Sequence, residues 1–474
     1  MRGAQLDDLR DGVPAGVAEA LAVVDRFDQA MTGGFGRLDP QGTAALAELA
    51  GAVSATPLGA AAAEAVDKVT AGSVGEEQLL LLAAARTAVV GAVHDALRDR
   101  LDGTLGRDRA QWTAPTTAAA PADGRLLAAR SWLAELALAG WRNVDHDLVS
   151  ASQQALTALL ADPTRRRIAV LLDGLANELR YTSPVATMER IPARRWADLW
   201  TRSMLLTSPQ SGPAAPETVS GRLLIVGADV QEHATAVQMQ VHAVLEAGGG
   251  GSDADRSRLV RVNVSAAKVD TIVGPVVWQL LADHPVLLAA LAGRLSLDVT
   301  DLPLLPGGDL LWRDDQARPG EPTDPFAVAR VQLGEALAPA VPPLDRHPVA
   351  IAEPVLLEGY TVVTDDDGLG FEVDGTRVAV DVDRLPGCGP ITTELLAKSS
   401  ACIGLLRWDG DAAAGPGWSV QPIGMQATVK RKQVDLHTGD WAQGPTDPKV
   451  TKAVARSGDS VAMLRERAGR LLRK

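Results

Sequence analysis

The spacing of apolar residues divides the chain in two. From residue 14 to about residue 105 apolar positions recur at helical intervals. The clearest element begins near Gly75, with Glu76 and Glu77 at the helix end that favours negative charge. A second helical block runs from residue 125 to about 206. Its internal boundaries are predicted at Asp145, Asp162-Pro163 and Ser183-Pro184, where a capping residue or a following proline interrupts the helix. Residues 107–124, "RDRAQWTAPTTAAAPADG", are rich in Ala, Pro and Thr and carry no period, which predicts a linker.

Beyond a second predicted linker at residues 208–220 the period shortens to two. Val237, Met239 and Val241 alternate with Gln238, Gln240 and His242, the pattern of a half-exposed strand. "AGGGGSDADRS" reads as a loop and "RLVRVNVSAAKV" as a returning strand, so this region opens with antiparallel pairing. A helix is expected over 276–291. Residues 349–429 are again strand-like, and "GYTVVTDDDGLGFEVDGTRVAVDV" reads as three short strands with turns at 366–368 and Asp374-Gly375. The fold class expected is α+β, a helical N-terminal half followed by a mainly antiparallel, β-rich C-terminal half. Along the chain this gives a helical domain at 1–106, a helical block at 125–207, an α+β domain at 221–345, a β-rich domain at 346–450 and a basic C-terminal helix at 451–474.

Composition narrows the function classes. Apolar residues make up 46% of the 474, enough for sizeable cores, yet only 3% are aromatic and ten of those sixteen are Trp. Formal net charge is −13, which disfavours general binding to phosphate backbones. Local basic runs at Arg165, Arg166 and Arg167, at Lys430, Arg431 and Lys432, and over 465–474 read first as solvated faces. Two cysteines, Cys388 and Cys402, cannot form a disulfide framework or a four-cysteine zinc site, and they fit a reducing cytoplasm. The N-terminus lacks the layout of a signal peptide. The most apolar run, residues 79–93, is shorter than a membrane span and is broken by Arg86, so a buried soluble helix is expected.

The stretch "ERIPARRWADLWTRSMLL", residues 189–206, holds four arginines and two tryptophans. At helical spacing Trp196, Leu199, Trp200 and Met204 form one apolar stripe, while Arg194, Asp198 and Arg202 stand four apart on another face. An interleaved nucleic-acid surface would put rings and cations on the same face. Packing by the rings beside an exposed Arg-Asp-Arg ladder is the expectation. Trp and Arg are also the residues enriched at interface anchors, which makes Arg194, Trp196, Trp200 and Arg202 the candidate partner-binding residues.

Catalytic chemistry has little to stand on. "AGGGGSD" has no following Gly-Lys-Ser/Thr, and "TDDDGLG" lacks the spaced oxygen ligands of a calcium loop. Asp381 and Asp383 alternate with Val380 and Val382, as on the solvated side of a strand. A dispersed active site would have to draw on Asp366, Asp381, Cys388 and His437. The glycine-flanked Cys388 reads as a small turn residue, and Cys402 as a buried strand residue. The seven histidines are scattered singly, without zinc-ligand spacing, so no metal and no cofactor is expected.

Three stretches, "VDHDLVSASQQAL", "TSPVATMERIPARRWADLWTRSMLL" and "VSGRLLIVGADVQEHATAVQMQVHAVLE", together resemble an uncharacterised actinobacterial protein family, and "GGDLLWRDD" extends the likeness. Members of that family are encoded near a MoxR-type AAA+ ATPase, a von Willebrand factor A protein and a SWIM zinc-finger protein. This chain lacks the Cys/His set of a SWIM finger. The resemblance implies an accessory or adaptor subunit of an ATP-dependent multi-protein system, of the kind used in biological conflict, with the MoxR-type ATPase and the von Willebrand factor A protein among its partners. The leading expectation is a non-catalytic cytoplasmic binding protein, without membrane or nucleic-acid partners. The rivals are an enzyme with a dispersed site and a nucleic-acid-binding factor using the basic runs.

Overall fold

The computed structural model describes residues 1–10, 12–114, 123–160, 165–208, 215–233, 236–247, 256–269, 271–366, 368–410, 417–452 and 454–455. Helices α1 (Gly3–Arg10), α2 (Val17–Gly33), α3 (Pro40–Ala52), α4 (Gly59–Thr70), α5 (Glu76–Leu105), α6 (Gly124–Ala139), α7 (His146–Ser150), α8 (Ser152–Leu160), α9 (Arg166–Thr182) and α10 (Ala193–Leu206) come first. Their boundaries follow local chemistry. Asp39, Asp123 and Asp145 cap α3, α6 and α7 by accepting from backbone amides, and α9 stops before Ser183-Pro184.

The expected α+β class is what the chain forms: this helix-rich region is followed by one rich in antiparallel sheet. Strands β1 (Glu217–Glu232), β2 (Ala236–Ala247) and β3 (Arg258–Ala267), helix α11 (Pro285–Gly293), and strands β4 (Leu295–Leu304), β5 (Asp309–Leu310) and β6 (Ala317–Pro322) form the first β unit. Pairing runs β1-β2-β3-β5-β4 and returns from β4 to β1, so the sheet closes on itself as a small barrel, with β6 beside β4. Closure removes the exposed edges that an open sheet would carry. Helix α12 (Pro325–Gln332) then leads to the second sheet. It comprises β7 (Glu353–Glu358), β8 (Thr361–Asp365), β9 (Gly368–Val373), β10 (Thr376–Val380), helix α13 (Thr393–Leu396), β11 (Ser399–Asp409), β12 (Gly417–Val429) and β13 (Lys432–His437). The order is β7-β11-β12-β10-β9-β8, with β13 on β12. The tight β9–β10 turn has Asp374 at φ 51° and Gly375 at φ 87°, the positive angles that a two-residue hairpin demands.

The barrel and the second sheet pack face to face. Leu223, Ile225, Ala228 and Val230 of β1 point into the barrel, while Leu224 and Val226 meet Ile403, Leu405 and Ile423 of the second sheet. Burial on both sides explains why "RLLIVGADV" is a continuous apolar run. The same contact corrects one expectation: His242, placed on the solvent face of β2, is buried against the second sheet. The helix expected over 276–291 is likewise two pieces, a 3-10 segment Gly274–Leu281 and α11, separated at His284-Pro285.

Helix α5 joins the halves. Its N-terminal residues Leu79, Leu82, Val89 and Val90 fill the helical core, and Val93, Leu97 and Leu101 pack with Phe371, Leu406 and Met425 of the second sheet. The run read as short extends to a 30-residue helix. It is long and apolar enough to cross a membrane by length and composition, and half of its most apolar window is buried against protein. An ionic knot fastens its C-terminal end. Glu353 on β7 accepts from Arg98, from Arg107 at 2.8 Å and from Arg109 at 3.3 Å, and Arg109 also grips Asp102. Burial alone would raise the Glu353 carboxyl; Arg98, Arg109 and Arg107 overcome this and hold it well below the ordinary carboxylate range.

Candidate functional site

Helix α10 presents three faces. Trp196, Trp200 and Met204 are fully buried in the helical core. Trp196 meets Trp141 edge-on with ring centroids 5.7 Å apart and donates to Glu178 at 3.0 Å, while Trp200 Nε1 donates to the Leu133 carbonyl at 2.8 Å. Buried rings with satisfied N–H groups are core side chains. Arg195 turns outward to Glu178. The third face, Arg194, Asp198 and Arg202, was expected to be an exposed ladder. It is instead half-buried: Asp198 meets Arg86, Arg202 reaches Asp345 ahead of β7, and Gly410, just past the end of β11, comes close to Arg194.

Between the two halves this face helps to enclose a cavity of about 270 Å³. Its floor is apolar, from Leu21 and Val24 of α2 and Val90 of α5. Six arginines line it: Arg86, Arg194, Arg195 and Arg202 from the helical half, and Arg384 and Arg407 from the second sheet. Three carboxylates, Asp198, Asp381 and Asp409, face the same space. The β side is built by the alternation of β11, which sends Arg407 and Trp408 to opposite neighbours, and by the turn after β10. There Asp381 ends the strand and accepts from Arg384 Nε at 2.6 Å. Asp381 and Asp383 therefore do not form the solvated face of a strand, since Val382–Arg384 is a 3-10 turn. Gly410 allows a close approach of the halves: a methyl group there would stand 2.8 Å from the Trp408 ring and 3.2 Å from Arg194 Nη1.

Most of these guanidinium groups are fixed from behind by carboxylates that do not line the cavity. Arg86 grips Asp28 with bonds of 2.6 and 2.8 Å, Arg194 pairs with Asp25, Arg195 with Glu178, and Arg407 with Asp229 at 3.1 Å. Arg407 is held further by Gln421, which bonds both it and Asp229 and so ties the second sheet to the barrel. Arg384 pairs instead with Asp381, which lines the cavity, and Arg202 is the least firmly held. Its ion pair to Asp345 is 3.8 Å long, Asp345 is already engaged by Arg167, and Arg202 Nε is buried with no hydrogen-bond partner. Burial lowers the Arg202 and Arg407 guanidinium groups from their ordinary values. Trp408 Nε1 and His347 Nδ1, on the same walls, are also buried without partners. Burial, then Arg202, pushes His347 down to about 4, so it is neutral at physiological pH.

The residues considered for catalysis are not assembled. Asp366 is exposed in the hairpin turn, and Asp381 belongs to the cleft. Cys388 is buried in the barrel core, its thiol raised by burial, and its carbonyl accepts from Trp278 at 2.9 Å. The loop does run beside Thr438, since a methyl group on Gly389 would meet the Thr438 carbonyl at 3.0 Å. Yet the neighbouring His437 ring packs on Phe326, centroids 5.4 Å apart, and neither ring nitrogen has a hydrogen-bond partner. Burial lowers His437 to about 4. Cys402 is a buried β11 residue. Among the described residues no group of three or more His, Cys, Asp or Glu side chains is arranged to hold a metal ion. Of the basic runs, Arg165 pairs with Asp123 and Arg167 with Asp345, and the tail from 456 onward lies outside the described residues.

Comparison with models of known protein families, with curated proteins and with solved structures gives no match for this chain.

Proposed function

We propose that the protein is a non-catalytic accessory protein, a cytoplasmic adaptor that binds partner proteins within an ATP-dependent multi-protein system. The observation that carries this reading is the cleft between the halves, where arginines from α10 and from the second sheet converge on one space and most of its carboxylates are tied to arginines, Asp198 to Arg86 and Asp381 to Arg384. A site built from cations held in fixed geometry and an aromatic ring suits recognition, since arginine and tryptophan are the side chains enriched at binding hot spots. The scattered positions of Asp366, Cys388 and His437 weigh in the same direction. A role on nucleic acid is the weaker reading. The net charge is −13, and Arg165 and Arg167 are engaged by aspartates.

The identity of the partners, a MoxR-type ATPase and a von Willebrand factor A protein, rests on the resemblance of the stretches within residues 144–246. The test is affinity purification of the tagged full-length chain from its native host, with and without a non-hydrolysable ATP analogue, followed by mass spectrometry. The ATPase and the von Willebrand factor A protein are expected in stoichiometric amounts. Recovery of the chain without either would contradict the adaptor reading.

A further inference from the structure

We infer that the arginine-lined cleft is a binding site for an acidic peptide segment of a partner protein, whose carboxylates are received by Arg202 and Arg384 and whose chain lies against Trp408. This rests on the adaptor reading and names the chemistry of what is bound. The two arginines come from the two halves of the chain, and they are the least compensated cations of the cleft. Arg202 has the long 3.8 Å contact to an aspartate shared with Arg167, and the Arg384 side chain is 47% exposed with only its Nε given to Asp381 among the described hydrogen bonds. Guanidinium groups offer paired N–H donors in the fork geometry that a carboxylate accepts.

Three further features select the ligand. Arg202 Nε, Trp408 Nε1 and His347 Nδ1 are buried and unpartnered on the walls of one cavity, and buried polar groups left so are costly unless a partner is supplied. At about 270 Å³ the space lies just below the size of pockets for drug-like or cofactor-sized molecules, and it suits one or two short side chains. Asp198, Asp381 and Asp409 face the same space. They would repel a compact dianion such as phosphate, whereas they can accept from the backbone N–H groups of a peptide. A mixed wall of arginine and aspartate therefore favours a peptide bearing carboxylates over an inorganic or nucleotide phosphate.

The test is a titration of the full-length protein with a fluorescein-labelled decapeptide of alternating Glu and Gly, followed by anisotropy at low and physiological salt. A Gln/Gly peptide, a Lys/Gly peptide and inorganic phosphate serve as the comparison probes. The Glu peptide is expected to bind and the Gln and Lys peptides to bind at least tenfold more weakly. Arg384→Gln and Arg202→Gln should each weaken the Glu peptide about tenfold, while Arg26→Gln, at the exposed pair with Glu48, should leave it unchanged. Arg384 is solvent-exposed, so its variant keeps the test decisive even if Arg202→Gln folds poorly. No binding of the Glu peptide, equal binding by the Arg384 variant, or full displacement of the peptide by millimolar phosphate would overturn the inference. Loss of the inference leaves the adaptor reading standing if the ATPase still co-purifies; peptide binding without any co-purified ATPase rejects the adaptor reading alone.

Discussion

Arg86 Nη1 donates to Asp198 Oδ1 at 2.6 Å, and through this bond the cleft-facing side of α10 is anchored to the centre of the helical core. The same guanidinium is gripped by Asp28 on its other edge, and both Arg86 and Asp28 are only 1% exposed. A buried arginine is tolerated because two carboxylates and Thr201 satisfy its donors.

Removing the charge opposite Arg86 should therefore be severe. Asp28→Asn leaves a buried guanidinium with one carboxylate and is expected to destabilise the protein by about 3 to 5 kcal/mol. Urea unfolding followed by circular dichroism measures it. A loss below about 1 kcal/mol would mean that Asp198 alone holds Arg86.

The faces of α10 should separate in stability. Trp200→Ala removes a fully buried ring and its bond to the Leu133 carbonyl, so a loss of about 3 to 5 kcal/mol is expected. Arg202→Gln gives up one long ion pair and should cost about 1 kcal/mol or less. Thermal melts of the two variants beside the parent decide it, and equal melting temperatures would place the ring outside the core.

Much of this was legible in the chain. Apolar period fixed the change from helix to strand near residue 215, and the i, i+4 spacing of Trp196 and Trp200 named the core face of α10 correctly. Half of the cleft was visible too, as the arginine face of the same helix. Its burial was not, because period tells which residues share a face but not what is laid over that face. Arg384, Arg407 and Trp408 come from a turn and a strand end about two hundred residues further along the chain, and the packing of the second sheet on α2 and α5 brings them to the cavity that Arg202 lines. Arg86 did carry a signal: a single arginine inside an apolar helical run is costly unless a partner waits for it. His242 was misread because strict alternation on β2 looks the same whether the polar side meets water or another sheet.

Acid should act on the seam at Glu353. Its folded-state carboxyl lies below the ordinary value, so the stability it contributes is present above the unfolded value near pH 4.3 and is lost as pH falls below it. Glu353→Gln is expected to cost about 3 to 5 kcal/mol at neutral pH and to flatten the loss below about pH 4.3. Urea unfolding at a series of pH values checks both, and an unchanged acid limb would exclude Glu353 as its source.

The buried histidines act in a higher window. His242, His347 and His437 are each lowered to about 4, chiefly by burial. Their neutral forms contribute stability that is full above the unfolded value of about 6.5 and is lost as pH falls from there towards 4, at about 1.4 kcal/mol per pH unit for each ring. His437→Gln should reduce that slope by one ring's share. A slope identical to the parent would show that His437 takes up its proton in the folded protein as readily as in the unfolded chain.

The cleft's role as a partner-binding surface is tested most directly by one double variant, Arg202→Gln with Arg384→Gln, assayed for folding and for partner retention in the same preparation. The melting temperature is expected within about 3 °C of the parent, since one long ion pair and one exposed pair contribute little. The partners that co-purify with the parent chain should be lost. A double variant that melts like the parent and still retains those partners in full amount would contradict a binding role for the cleft.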